Sequence, residues 1–121
     1  MEKQYIMGIK IGNTRTKMGL VETRDGNVIE TRVSLTEKNN IDNFLSDIEH
    51  VLDIFSRKAS ALRGNIQGIR ILFPINSDGE SRLISSFGNF MEEQLLKNLI
   101  EKRFSLPCRI GDDDYAFALK F

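Results

Sequence analysis

The 121-residue sequence has no tryptophan, two prolines, one cysteine (Cys108) and one histidine (His50). A lone cysteine excludes a disulfide framework within the chain, and one cysteine with one histidine excludes an ordinary Cys/His zinc site. No apolar run approaches the roughly 20 residues that a membrane-spanning helix needs. The few residues before the first predicted strand leave no room for a signal peptide. These absences predict a cytoplasmic protein that does not enter membranes.

An excess of either charge is also absent. The 17 Lys and Arg residues balance 17 Asp and Glu residues, and the balance is even along the chain. Because nucleic-acid binding rests on clustered Lys and Arg, this neutrality argues against a chain that binds nucleic acid by itself. Hydrophobic residues make up 40% and charged residues 28% of the sequence, which is typical of a globular chain. The length fits a single domain over residues 1–121.

The first part of the chain is predicted to form three antiparallel strands. Residues 5–11, 16–21 and 28–35 are rich in β-forming side chains and alternate in polarity. Asp25-Gly26 lies between the second and third strands, and this dipeptide tolerates the positive φ angles of tight hairpin turns.

Helices and further strands then follow one another. A helix is predicted from Ile41, capped by Asn40 and ending near Arg63 with Gly64 as its C-terminal stop. The remaining predicted elements are a strand at 66–73 buried on both faces, a short strand at 82–85, a helix at about 89–104, a strand at 108–110 and a helix from 115. The order predicts an α/β fold in which a mixed sheet carries crossover helices.

The first candidate loop, Gly12-Asn13-Thr14, lies between the first two strands. Glycine allows a ligand to approach the backbone closely, and a threonine hydroxyl with free amides can hold phosphate oxygens. Gly-Asn is also common in ordinary hairpin turns, and this structural interpretation is favoured by spacing alone.

The second candidate loop, Asp112-Asp113-Asp114, follows the last predicted strand. A carboxylate at the end of a parallel strand is placed to act as a general base or a metal ligand. Helix capping by aspartate is the commoner explanation of such residues. His50 lies off the apolar stripe of its helix and is predicted to be solvated, while Cys108 is predicted to be a small buried hydrophobe.

Four stretches of the sequence together resemble one known family: residues 9–21, 25–29, 68–74 and 106–119. The first resembles the Asp-x-Gly-Gly-Thr opening of the ROK family, and the last is similar to its Leu-Pro-Val-x-Val-x-Asn-Asp-Ala segment. ROK proteins are bacterial sugar kinases and sugar-responsive repressors of the actin/hexokinase/Hsp70-like ATPase superfamily. The resemblance covers the whole chain and implies a ribonuclease-H-like domain, with three antiparallel strands plus parallel strands joined by crossover helices.

The resemblance also implies roles for individual residues. Gly12, Asn13 and Thr14 fall at the family's phosphate-binding loop, which implies ATP and Mg²⁺ as cofactors. Asp113 falls at the catalytic aspartate, the general base that takes the proton of the sugar hydroxyl. The sugar-binding positions that the resemblance implies are Asp112, Asp113 and Ser86.

Several of these positions depart from the family pattern. Lys10 stands where the family has a strand-end aspartate, which replaces a negative charge with a positive one where Mg²⁺ needs oxygen ligands. Asn13 replaces the second glycine, Ile75 replaces the glycine after a proline, and Ser86 replaces an asparagine that contacts sugar. The resemblance therefore implies a retained base with altered phosphate and sugar sites.

The family kinases are at least twice as long as this chain. We expect the chain to be the N-terminal lobe of a ROK-like sugar kinase, inactive alone because the second lobe is absent. The alternative is a non-catalytic module that binds a sugar or a partner, such as the effector domain of a ROK-type transcriptional regulator. An open cleft face would expose apolar surface, which favours a homodimer.

Overall fold

The computed structural model of the protein describes residues 3–12, 15–35, 40–72 and 93–110. The short strand predicted at 82–85, the predicted start of the second helix near Asn89 and the helix predicted from Tyr115 lie outside the described residues. No helix in the described part of the chain is both long and apolar enough to cross a membrane.

Five strands form a single mixed sheet among the described residues. They are β1 (Lys3–Ile11), β2 (Arg15–Glu22), β3 (Val28–Leu35), β4 (Gly64–Leu72) and β5 (Cys108–Ile110). Their spatial order is β3-β2-β1-β4-β5. The β1–β2 and β2–β3 pairs are antiparallel, whereas β1–β4 and β4–β5 are parallel. The predicted mixed sheet is confirmed, with β1 at its centre.

The turn between β2 and β3 has the chemistry that its sequence predicts. Gly26 has a φ of 73°, in the left-handed region that glycine adopts without steric cost. The Asp25 carboxylate accepts hydrogen bonds from the backbone N–H of Asn27 at 3.0 Å and from its side-chain amide at 2.9 Å. These bonds fix the turn and hold the two strands in register.

Helix α1 (Ile41–Ala61) connects β3 to β4 and begins as predicted. The side-chain oxygen of Asn40 accepts hydrogen bonds from the backbone N–H groups of Asp42 at 2.9 Å and Asn43 at 3.2 Å. These two N–H groups have no partner inside the helix, so the cap stabilises its first turn.

The predicted role of Gly64 as the C-terminal stop of α1 is wrong. Arg63 adopts the left-handed conformation at φ 63°, and Gly64 is already the first residue of β4. A Cβ atom on Gly64 would clash with the carbonyl oxygen of Lys3 and would lie 2.5 Å from the ring of Tyr5. Glycine is therefore required here because β1 and β4 approach closely.

Helix α2 (Glu93–Phe104) connects β4 to β5, and both helices pack on the same face of the sheet. The buried core between them and the strands comprises Tyr5, Met7, Ile9, Ile11, Met18, Leu20, Phe44, Leu45, Ile48, Val51, Phe55, Ala59, Ile69, Ile71, Leu96, Ile100 and Cys108. The predicted burial of β4 on both faces holds only in its second half. Asn65 is exposed beside the exposed Gln4 of β1, and the exposed Gln67 is the extra residue where the register of β1 and β4 shifts.

Candidate functional site

The three parallel strands end at one edge of the sheet. β1 ends at Ile11, β4 at Leu72 and β5 at Ile110, and the register places these ends side by side. Both candidate loops leave from this edge, one after β1 and the other after β5. The two strands are separated by β4, so their ends lie roughly 10 Å apart. The topology thus brings the starts of the two predicted loops together, as binding sites at the carboxyl ends of parallel strands require.

Of the predicted site residues, Gly12 is the one within the described part of the chain. Asn13, Thr14, Ser86, Asp112 and Asp113 lie outside the described residues. Their roles as phosphate-binding, sugar-binding and catalytic residues stay predictions.

Gly12 closes the hairpin between β1 and β2. Its backbone N–H donates a hydrogen bond to the carbonyl oxygen of Arg15 at 2.9 Å, and a Cβ atom at this position would lie 2.7 Å from the same oxygen. The close approach requires glycine whether or not a ligand binds. The geometry therefore supports the turn interpretation at Gly12, and its phosphate-binding role stays a prediction.

Lys10 lies at the end of β1 with its side chain exposed. Its partner across the antiparallel ladder is Lys17, and its partner on β4 is Leu72. Two lysines directly opposite each other on neighbouring strands repel each other. The strand end therefore carries two positive charges from its described residues.

This strand end does not fit a Mg²⁺ ion as far as it is described. Mg²⁺ requires oxygen ligands, usually one or two carboxylates together with phosphate oxygens. Within residues 3–12, 15–35, 40–72 and 93–110, no group of three or more His, Cys, Asp or Glu side chains could hold a metal ion. Lys10 and Lys17 would instead repel a cation and attract an anion.

The face of the sheet away from α1 and α2 carries several basic side chains among the described residues, beside the buried Val21 and Leu72. The register places Lys10, Lys17, Arg15, Arg70 and Arg109 on this face. None of the described strand residues on this face is Asp or Glu, although the whole chain is neutral. Arg70 and Arg109 are partners on β4 and β5, and they line a groove whose other walls are Ile6, Gln67, Gly68, Ile69 and Pro107. Charge is evenly distributed along the sequence, so this grouping of basic side chains is seen only from the strand register.

Glu101 connects α2 to the start of β5. Its carboxylate accepts a hydrogen bond from the Cys108 backbone N–H at 3.0 Å and another from the Lys97 ammonium at 2.8 Å. Both bonds lower the pKa of Glu101 below its usual 4.5, and the bond from Lys97 has the larger effect. The contact fixes the beginning of β5, the strand that leads toward Asp112 and Asp113. Sequence reasoning missed it, and the spacing of Lys97 and Glu101 on one helix face was its only signal.

The prediction that Cys108 is buried is confirmed. Its side chain is 1% exposed, and burial, together with the nearby Glu101 carboxylate, raises the pKa of the thiol from 9.0 to about 12. A thiol that stays protonated is a poor nucleophile. His50 is exposed on α1, as predicted from its place off the apolar stripe.

No family model matches this sequence, and no curated protein matches it either. Solved structures do match it. A ROK family transcriptional regulator that is a homolog of the E. coli MLC protein has a TM-score of 0.66 and 20% identity over 96% of this chain and 29% of that chain. A ROK family glucokinase from Streptomyces griseus, in complex with glucose and AMPPNP, has a TM-score of 0.64 and 17% identity over 90% of this chain and 33% of that chain. A Listeria monocytogenes protein proposed to be an N-acetylmannosamine kinase has a TM-score of 0.61 and 26% identity over 90% of this chain and 35% of that chain.

These solved neighbours are ROK proteins and sugar kinases, as the sequence resemblance predicts. They confirm the ribonuclease-H-like α/β fold of the actin-like ATPases. The chain spans about a third of the length of the structures it matches.

Proposed function

We propose that this chain is the N-terminal lobe of a ROK-like sugar kinase and that it does not phosphorylate sugar by itself. The observation that supports this most directly is the coverage of the structural matches. Between 90% and 96% of this chain aligns with about a third of each neighbour, which is what one lobe of a larger protein would give. An isolated lobe supplies half of a cleft and cannot position two substrates.

In the complete protein of this proposal, the two loops at the strand edge have different roles. The loop of Gly12, Asn13 and Thr14 contacts nucleotide phosphates, and Asp113 accepts the proton of the sugar hydroxyl as it attacks. Asp112 and Ser86 contact the sugar. The Glu101 contact at the start of β5 supports this arrangement, because it fixes the strand that precedes the proposed base.

Lys10 supports a second candidate function, a module that binds a sugar or partner without chemistry. A lysine opposite Lys17 gives the strand end the wrong charge for a metal-bound nucleotide. The effector domain of a ROK-type transcriptional regulator would need no such metal, and a regulator is among the structural neighbours. In this case we expect the chain to bind a sugar effector and not ATP.

The two candidates differ in what Lys10 does to nucleotide binding. We would titrate the chain with AMPPNP and Mg²⁺ by calorimetry, and compare the Lys10→Asp variant with the charge-removing control Lys10→Gln. For a kinase lobe, Lys10→Asp restores a metal-binding carboxylate and should tighten binding relative to Lys10→Gln. Measurable binding that is equal in the two variants would favour the non-catalytic module.

Two further measurements test the remaining parts of the proposal. The purified chain with ATP, Mg²⁺ and a panel of hexoses and amino sugars should form no sugar phosphate, and turnover at an ordinary enzyme rate would refute the one-lobe proposal. We also propose that the chain alone does not bind nucleic acid. Tight, specific binding in a gel-shift experiment would contradict this and would direct attention to the positively charged face of the sheet.

A further inference from the structure

One edge of the sheet is open. β3 is the last strand in the order β3-β2-β1-β4-β5, so one side of it bonds to β2 while the other side has no strand partner in the described part of the chain. Thr31 and Arg32 are exposed, and Val33 and Leu35 are 56% and 73% exposed. An edge strand of eight residues without a partner on its outer side is a ready template for another strand.

The charges on this edge restrict which strand can pair with it. Glu30 and Arg32 lie on the helix-covered face, opposite Leu20 and Met18 of β2. They form an ion pair at 3.5 Å within the chain, and Thr31 lies between them on the other face. A partner strand that places a positive charge opposite Glu30 and a negative charge opposite Arg32 therefore gains two favourable cross-strand pairs.

We propose that the partner is a second copy of this chain, whose β3 pairs antiparallel with the first about a two-fold axis at Thr31. In this register Glu30 of each copy lies opposite Arg32 of the other, so two ion pairs form across the interface. Thr31 lies opposite its own copy, a favourable cross-strand pair. The two sheets of five strands become one continuous sheet.

The charge pattern favours this register, which pairs both charged residues of β3 with opposite charges, and it disfavours two alternatives. An antiparallel pair centred on Arg32 would place two arginines opposite each other. Parallel pairing in register would oppose like charges at both Glu30 and Arg32. In the two-fold arrangement, the β3 edge of each copy is occupied by the β3 edge of the other copy. Association through β3 therefore stops at a dimer and does not continue into a filament.

The irregularity in β3 contributes to the same interface. The register of β2 and β3 shifts between Leu20 and Val21, which brings Val28 opposite Val21 on the face away from α1 and α2. Val28 and Val33 therefore lie on the same face of the sheet. In the two-fold pair, Val33 of each copy approaches Val28 of the other copy. Both exposed Val33 side chains are therefore partly covered.

Charge exchange tests the proposal. The wild-type chain is measured by analytical ultracentrifugation over a concentration series, and we expect a reversible equilibrium between monomer and dimer. Glu30→Arg and Arg32→Glu each place like charges opposite each other at both symmetric contacts, so each should raise the dimer dissociation constant at least tenfold. The double variant Glu30→Arg/Arg32→Glu restores opposite charges and should recover wild-type association.

A matched control comes from α1. Asp53 and Arg57 form another exposed ion pair at 2.8 Å, away from the sheet edge, and Asp53→Arg should leave the dissociation constant unchanged. Circular dichroism verifies that each variant is folded before its association is interpreted.

Three outcomes would overturn the proposal. The first is a wild-type chain that stays monomeric at all accessible concentrations, and the second is open-ended association. The third is a dimer that both single charge reversals leave intact. If Val33→Ser disrupts such a dimer, its interface is the exposed face of β3 and not the edge.

Discussion

Replacing Cys108 with alanine should remove one cause of the protein's loss of stability in alkaline solution. The buried thiol has a pKa raised from 9.0 to about 12, chiefly by burial. Because the folded state favours the neutral thiol, its contribution to stability is fully present below pH 9.0 and is lost as the pH rises toward 12. At about pH 10 the thiol of the unfolded chain is mostly ionised and that of the folded chain is not.

The size of the effect follows from these two values. At about pH 10, keeping the thiol protonated in the folded state lowers the free energy of unfolding by about 1.4 kcal/mol relative to neutral pH. Partial screening by solvent changes this cost little, because at about pH 10 the folded thiol stays mostly protonated. The wild-type free energy of unfolding should therefore fall about 1.4 kcal/mol further than that of Cys108→Ala between about pH 8 and pH 10.

Urea unfolding followed by circular dichroism measures this difference. Both proteins are unfolded at a series of pH values from 7 to 10, and the difference in their free energies of unfolding is plotted against pH. All other ionisable groups are common to both proteins, so their contributions cancel in the difference. The small cavity left by alanine adds a constant offset and no slope.

A flat difference would refute the reasoning, because it would mean that the folded and unfolded thiols ionise alike. Thiol labelling gives an independent check. At about pH 8 the native thiol should react with a maleimide far more slowly than the thiol of the urea-unfolded chain. Equal rates would show that the thiol is accessible in the folded protein.

Four further substitutions test local features of the fold by urea unfolding. Tyr5→Phe should raise the free energy of unfolding by about 1 kcal/mol, because the buried hydroxyl has no hydrogen-bond partner among the described residues; a clear loss would reveal a partner. Gly64→Ala should lower it by about 2 kcal/mol through the clash described above, whereas Arg63→Gly should raise it by about 1 kcal/mol by relieving the left-handed backbone; effects of the opposite sign would contradict the assigned backbone geometry. Glu101→Gln should destabilise the protein at neutral pH, and since the pKa of Glu101 is lowered, the difference from wild type should fade as the pH drops below 4.5; a difference that persists in acid would show that its carboxylate charge is not involved.

Features determined by neighbouring residues were predicted well from the sequence. The Asp25-Gly26 turn and the Asn40 cap depend on contacts within three residues, and both are confirmed. The role of Gly64 was predicted incorrectly because its constraint comes from Lys3 and Tyr5, which are distant in the sequence. Strand register decides such contacts, and local patterns do not encode it.

The candidate site shows the same division. The sequence predicts the two loops separately, and the parallel pairing of β1, β4 and β5 places the ends of β1 and β5 at one edge of the sheet. The opposition of Lys10 and Lys17 depends on the register of β1 against β2, and so does the gathering of positive charge on one face. Lys10 by itself was recognisable as a departure from the family pattern, but its neighbour was not.

The central position of β1 has a consequence for the order in which the chain folds. β1 pairs with β2 through a local hairpin and with β4 across roughly 60 residues of intervening sequence. Closing the second of these loops costs more chain entropy, and such non-local pairings slow folding. During synthesis on a ribosome, the hairpin strands emerge first. The backbone N–H and C=O groups on one edge of β1 then lack strand partners until β4 has been synthesised. During that interval the strand that later becomes the most protected in the sheet is the one most exposed to wrong partners.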